Sequence, residues 1–286
     1  MHNDNHDHAH DLGLAHDLEQ LGKSLLQRRR ALLWLAGAGV APLLACGGGG
    51  GDSDSVTTAT IGGTTTTTGT TTCSVIPEET AGPYPGDGSN TANGSIANAL
   101  ALSGIVRSDI RSSVAGASGT AAGVLMTVTL TLVNTNASCA SLAGYAIYLW
   151  HCDREGKYSM YSSGVTDQNY LRGVQATDAN GQVTFTTIFP ACYAGRMPHL
   201  HLEVYRSLAT ATASTSKIKT SQIAFPIADC QTVYATSGYS ASVSNLAQIS
   251  FATDNVFSDG TTLEMATVSG SVAAGYTASL TVGISA

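Results

Sequence analysis

The sequence predicts an all-β fold, a β-sandwich, and three observations predict it. Charged residues are only 12% of the 286-residue chain, and Gly, Ser, Thr and Ala are abundant. That balance suits a strand-rich extracytoplasmic domain better than a charge-rich helical one. Past residue 73 the chain shows short alternating runs rich in β-branched and aromatic residues, separated by Gly-rich turns, with no helical period lasting three turns.

Taken in order, the first strand is "VLMTVTLTLV" (124–133), whose apolar residues alternate with threonines. "YAIYLWHC" (145–152) is a second, and "QVTFTTIF" (182–189) a third. The latter follows "DANG" (178–181), where Asn-Gly signals a hairpin turn. "HLHLEVY" (199–205) alternates again, then come "SQIAFP" (221–226) and late strands near 262–269 and 277–284. Many short strands at regular spacing indicate a sandwich.

What precedes residue 73 is read separately. Residues 1–46 form a signal segment: a polar stretch with five histidines, "RRR" at 28–30, and the apolar run "ALLWLAGAGVAPLLA" ending at Cys46. A basic patch before about fifteen apolar residues is too short for a comfortable membrane span and fits a signal peptide. "RRALL" resembles a twin-arginine export signal, and "LLAC" before Gly resembles a lipoprotein cleavage box. In that reading Cys46 is lipidated and membrane contact is through the anchor alone; ordinary signal-peptidase cleavage is the alternative. Residues 47–72 are a Gly/Thr-rich linker unable to form a packed core. The folded domain is 73–286, in an exported bacterial protein, anchored, periplasmic or extracellular.

The net charge of −7 argues against nucleic acid, and beyond Cys46 there are still 9 basic against 15 acidic residues. Cysteines 73, 139, 152, 192 and 230 point to disulfides rather than a zinc cluster, since none is spaced CxxC. The expected pair is Cys139 with Cys152, joining the loop before a strand to that strand's end. The oligomeric state stays open.

The chemistry concentrates in "CYAGRMPHLHLEV" (192–204). Residues i and i+2 of a strand share a face, so His199 and His201 project together, about 7 Å apart along the backbone, and can meet one metal ion. Glu203 continues that face, giving a two-His-one-carboxylate set that resembles the cupins and suits Fe(II) or Mn(II). Three same-face residues converge poorly, however, and Glu203 reads as a solvent-side or barrel-end charge. Tyr193 is the alternative third donor: phenolate is a hard anionic ligand suited to Fe(III). His151 follows Trp150 on the opposite face and reads as structural, and Asp153 as the former of the turn in "CDREGK".

The segment "LRGVQATDANGQVTFTTIFPACYAGRMPHLHLEV" (171–204) is similar to the signature region of the intradiol ring-cleavage dioxygenases, the protocatechuate and catechol dioxygenases. "LWHCDREGKYS" (149–159), "PEETAGPYPG" (77–86), "TSQIAFP" (220–226) and "DNVFSDG" (254–260) resemble further family segments, so the likeness runs in order over about 73–265. The resemblance implies a non-haem Fe(III) held by Tyr158, Tyr193, His199 and His201. It implies catalytic roles for Arg196, which stabilises anionic substrate, for Gln222 beside the substrate, and for Tyr193 as proton acceptor. The reaction implied is insertion of both atoms of O₂ into a catecholic aromatic to give a muconate-type diacid, as in aromatic catabolism. Cys192 departs from the family pattern, the 193–199 loop is short, and an N-terminal helical region is missing, which leaves the substrate's ring substituents open. A non-catalytic cell-surface β-sandwich binding module is the rival from another class.

Overall fold

The computed structural model describes residues 73–286. The signal segment, the linker and Cys46 lie outside the described residues. Eleven strands and two short helices follow one another: β1 (Asp87–Ala92), β2 (Ser95–Asn98), β3 (Leu125–Asn134), β4 (Ala140–Ser141), β5 (Ala146–Trp150), β6 (Arg172–Ala176), β7 (Gln182–Ile188), β8 (His199–Tyr205), β9 (Lys217–Ala224), α1 (Ile227–Tyr234), α2 (Ser240–Leu246), β10 (Thr267–Ser271) and β11 (Gly275–Ile284). The fold is all-β, and no described helix is long and apolar enough to cross a membrane.

Two sheets form the sandwich. In one, the order is β10-β11-β3-β4, with β7 also paired to β3; the other is β6-β5-β8-β9, and β1-β2 is a separate hairpin. The shared core comes from the inner faces, with Met126, Val128, Leu130 and Phe185 against Ile147, Leu149, Leu200, Leu202 and Ile223. The first sheet turns its other face to solvent. Thr127, Thr129 and Thr131 of β3 therefore alternate with buried apolar residues, the pattern of a sheet wetted on one side. The second sheet is different. All seven residues of β8 and all five of β5 are buried, because its outer face is roofed by a second cluster holding Tyr148, Trp150, Tyr158 and Tyr205.

The Asn180-Gly181 turn closes no hairpin. It carries the chain from β6 in one sheet to β7 in the other. Asp178 Oδ1 accepts the Asn180 and Gln182 amides, both at 2.8 Å. Gly181 has φ +74, and a Cβ there would stand 2.5 Å from the Leu132 carbonyl oxygen, so the corner admits only glycine.

The expected Cys139–Cys152 pair is not formed. Cys139 bonds Cys73, with Cα atoms 5.8 Å apart, and Cys152, Cys192 and Cys230 are free and buried. Cys139 ends the turn after β3, whereas Cys152 lies beyond the far end of β5, a five-residue strand. That is about 17 Å of strand, out of reach of a bond that needs Cα atoms within about 7 Å. The actual bridge closes a 66-residue separation and constrains the unfolded chain by about 4 kcal/mol in the loop-entropy treatment. Cys139→Ser is expected to lower the urea midpoint by an amount equivalent to about 2–4 kcal/mol, and Cys152→Ser to leave the bridge intact by non-reducing peptide mapping. Equal midpoints for wild type and Cys139→Ser would contradict that bridge.

Candidate metal centre and active site

β8 brings His199 and His201 to the roofed face of its sheet, and Leu200 and Leu202 to the core. His199 Nδ1–H donates to the Met197 carbonyl at 2.6 Å, which leaves the Nε2 lone pair facing inward. The ring of His201 lies flat on Trp150, centroids 4.8 Å apart and planes 5° off parallel. Trp150 faces His201 in the β5–β8 register, so that stacking is set by strand pairing. Gly82 (φ +67) covers the other side: a Cβ there would fall 3.3 Å from His201 Cε1.

Two tyrosines close on this pair. Tyr158 Oη lies 3.4 Å from His199 Nε2 and 3.3 Å from His201 Nε2. Tyr193 Oη is 3.3 Å from His199 Nε2, and the two imidazole Nε2 atoms are 3.1 Å apart. Tyr158 is held by the loop after β5, where Asp153 Oδ1 accepts the Glu155 and Lys157 amides, and by a tilted ring contact with Tyr84, centroids 5.1 Å apart. Tyr193 is half-buried at the start of the loop leading to β8.

The electrostatics are those of a site with donors and no counter-charge of its own. Burial, with Tyr193 next, pushes the Tyr158 hydroxyl well above its ordinary pKa. Burial, followed by the Arg196 charge, pushes His199 far below its own, and burial with His199 does the same to His201. Without a cation both imidazoles are neutral, and buried His201 Nδ1 makes no hydrogen bond. Two nitrogens and two phenol oxygens, with four of their six pairs 3.1–3.4 Å apart, fit a small, hard cation able to turn the phenols into phenolates. The donor set suits ferric iron.

Arg196 is buried beside this cluster. Its Nε donates to Asp254 Oδ2 at 3.1 Å and its Nη2 to Gln222 Oε1 at 2.7 Å. Gln222 is the cross-strand partner of His201, and its Nε2 donates to the Thr80 carbonyl at 2.9 Å. Arg196 and Gln222 thus form one unit.

Glu203 stands elsewhere. The expectation of a solvent-side charge is wrong: the residue is fully buried, and burial pushes its pKa up to about 7. Its oxygens accept from Tyr205 Oη at 2.6 Å and Lys217 Nζ at 2.8 Å. No group of three or more His, Cys, Asp or Glu side chains placed to hold a metal ion occurs among the described residues, so His199, His201 and Glu203 make no cupin-like triad. His151 is held away from the site by Thr187 Oγ1 at 2.6 Å and the Cys152 carbonyl at 2.8 Å. Cys192, odd in the sequence, braces the tyrosine loop. Its thiol donates to the Arg196 carbonyl at 3.4 Å, its amide to Ser242 Oγ, and its carbonyl accepts from Asn245.

Sequence reasoning missed Asp254, Trp150 as the platform for His201, and Gly82. The first sits in "DNVFSDG" and the last in "TAGPYP", so the segments were in view although the residues were not.

The central strand of the sandwich presents two imidazoles to two tyrosines. The model of a family described as "Dioxygenase" matches residues 107–225. An intradiol ring-cleavage dioxygenase from Tetranychus urticae is 26% identical with a TM-score of 0.56, the match covering 74% of this chain and 95% of that one. The dioxygenase Tetur07g02040 matches with the same identity and TM-score, over 74% of this chain and 94% of its own. The dioxygenase domain of a carbohydrate-binding fusion protein from Streptomyces sp. SirexAA-E overlays less well, at 20% identity and a TM-score of 0.45, over 74% of this chain and 98% of that one. Over residues 107–225 the chain matches the dioxygenase family model, and across 74% of its length it is similar to an intradiol ring-cleavage dioxygenase.

Proposed function

We propose that the protein is an Fe(III)-dependent intradiol dioxygenase that inserts both atoms of O₂ into a catecholic aromatic and releases a muconate-type diacid. The observation that carries this reading is the convergence of Tyr158, Tyr193, His199 and His201, four of whose donor pairs are 3.1–3.4 Å apart. These four residues would hold the iron. Bound ferric iron supplies the electron-accepting centre that makes a chelated catechol reactive toward O₂.

The chain's own residues supply the rest. His199 arrives with its tautomer fixed by Met197, and His201 with its plane fixed by Trp150 and Gly82, so neither needs to reorganise. Tyr158 is buried and would hold the iron from a fixed position. Tyr193, half-exposed on its loop, is placed to accept the first proton of an entering catechol at its phenolate oxygen. Arg196, always charged, faces the anion that the substrate becomes, with Gln222 beside it. The roof of tyrosines and Trp150 keeps water from the buried donors.

The accompanying proposal for location is export through the twin-arginine-like signal with lipidation at Cys46. Globomycin-sensitive processing and loss of membrane retention in Cys46→Ser would support it, and retention of that variant would count against it.

The test of function uses colour and oxygen uptake. The iron-loaded protein is expected to be red to burgundy, because tyrosinate bound to Fe(III) absorbs strongly in the visible. It is also expected to consume one O₂ per catechol on at least one member of a panel of ring-substituted catechols. A colourless iron-loaded protein refutes the four-donor reading. Colour without oxygen uptake across the panel makes the chain a binding module instead.

A further inference from the structure

We propose that Asp254 is the positioning residue of this site, one buried carboxylate that sets both the direction of the Arg196 guanidinium and the path of the loop from Tyr193 to His199. The inference rests on the dioxygenase reading for its consequence in turnover, but its geometry stands without it.

Asp254 is fully buried, and both of its oxygens are used twice. Oδ2 accepts Arg196 Nε–H at 3.1 Å and the Met197 amide at 2.6 Å. Oδ1 accepts the amides of Val256 at 2.8 Å and Phe257 at 3.1 Å. A carboxylate offers about four acceptor directions, so this one is saturated, two bonds to each of two segments.

Three site features follow from that one group. The first is the plane of Arg196. A guanidinium is a rigid fork; with Nε on Asp254 and Nη2 on Gln222 its rotation is fixed, and Gln222 ties it to the strand position opposite His201. The second is the tautomer of His199. Asp254 holds the Met197 amide while the Met197 carbonyl accepts from His199 Nδ1, so the acid and the imidazole grip one residue from its two sides. The third is Phe257, whose ring lies 5.9 Å from Arg196 Cζ and 6.4 Å from the His199 ring.

An amide at position 254 keeps the volume but turns one acceptor into a donor, which then faces N–H groups. Asp254→Asn in the full-length, iron-loaded protein is expected to lower kcat by roughly 10²-fold, the cost of a misdirected catalytic charge, with KM within about threefold and the visible band unchanged. In an Arg196→Ala background the same change is expected to cost less than about threefold, because residues acting as a unit are not additive. A kcat within twofold of wild type, or a full loss repeated in the Arg196→Ala background, overturns the proposal.

A readout independent of iron and turnover separates the two ideas. In the iron-free full-length protein, the Arg196 Nε–H resonance, identified by its loss in Arg196→Lys, is expected to exchange slowly with water and to quicken in Asp254→Asn. Exchange in wild type as rapid as that of exposed arginines overturns the positioning role, even where Asp254→Asn fails to fold. Slow exchange in a protein that oxidises no catechol leaves the positioning role standing and sinks the dioxygenase reading alone.

Discussion

Tyr158→Phe is expected to yield a folded protein that has lost most of its iron, with ring-cleaving turnover down by about 10³-fold or more, beyond the 10–100-fold typical of groups that merely support a ligand. The reasoning is specific to this hydroxyl. Tyr158 Oη is within 3.4 Å of both His199 Nε2 and His201 Nε2, so it touches two of the other three donors. Burial makes its phenolate costly without a cation, which means the oxygen is kept there against the interest of stability. Removing it relieves a buried hydroxyl that faces two imidazole nitrogens and the Tyr193 side chain. The iron-free variant is therefore expected to be as stable as iron-free wild type, within about 1 kcal/mol. His201→Ala should lose iron equally but also stability, since it leaves Trp150 facing a void. Metal analysis beside urea denaturation checks both. Full iron occupancy in Tyr158→Phe and His201→Ala together would mean that these residues are not the metal centre.

The second large effect concerns Arg172, which never touches the four donors. It is almost wholly buried and makes five hydrogen bonds: Nε to Ser159 Oγ, Nη1 to the Pro85 carbonyl and Tyr148 Oη, and Nη2 to the Tyr84 and Ser159 carbonyls, at 2.7–3.2 Å. None of these partners is a carboxylate, so its charge is met by dipoles. Apart from Tyr148 Oη, those dipoles belong to the segment that sets Tyr84 against Tyr158 and to Ser159, next to Tyr158 itself. Arg172→Met keeps the apolar stem but takes the guanidinium from the Tyr84 and Ser159 carbonyls and leaves the Pro85 carbonyl to Tyr148 Oη alone. At about 1–3 kcal/mol for each polar group left unsatisfied, partly recovered by relaxation, the loss is expected near 3–5 kcal/mol. Urea unfolding of the iron-free protein measures it, and a loss below about 1 kcal/mol would show that water replaces the guanidinium. Turnover should fall along with stability, as Tyr158 loses its backing.

How much of this could be read from the chain depends on what kind of signal each feature leaves. Strands with one wet face leave a period of two, and 124–133 and 182–189 fall within a residue or two of β3 and β7. The histidine strand agrees with 199–205 at both ends. β6 leaves little signal, since Arg172 and Gly173 look like anything but a buried strand. β1 and β2 are too polar to register, although Asn93-Gly94, both at positive φ, form the turn between them. The same dipeptide at 180–181 joins two sheets instead, because a turn signal specifies local backbone and not which strand comes next. The His-x-His pair was legible from spacing. Tyr158 was not: it is 41 residues from His199, and only the family resemblance pointed to it. The disulfide failed for the same reason, since the length of β5 separates residues that are near in sequence.

β8 is buried along both faces, imidazoles on one and leucines on the other, and this has a consequence for how the centre can go wrong. In a strand, a slip of one residue exchanges the two faces completely. Slipped against β5 and β9, the strand would offer Leu200 and Leu202 to the tyrosines and drive two imidazoles into the core. No partly formed centre lies between those states. Damage to the distant core should therefore appear as a smaller fraction of molecules that take up iron, each with undiminished affinity, instead of a uniform population that binds it weakly.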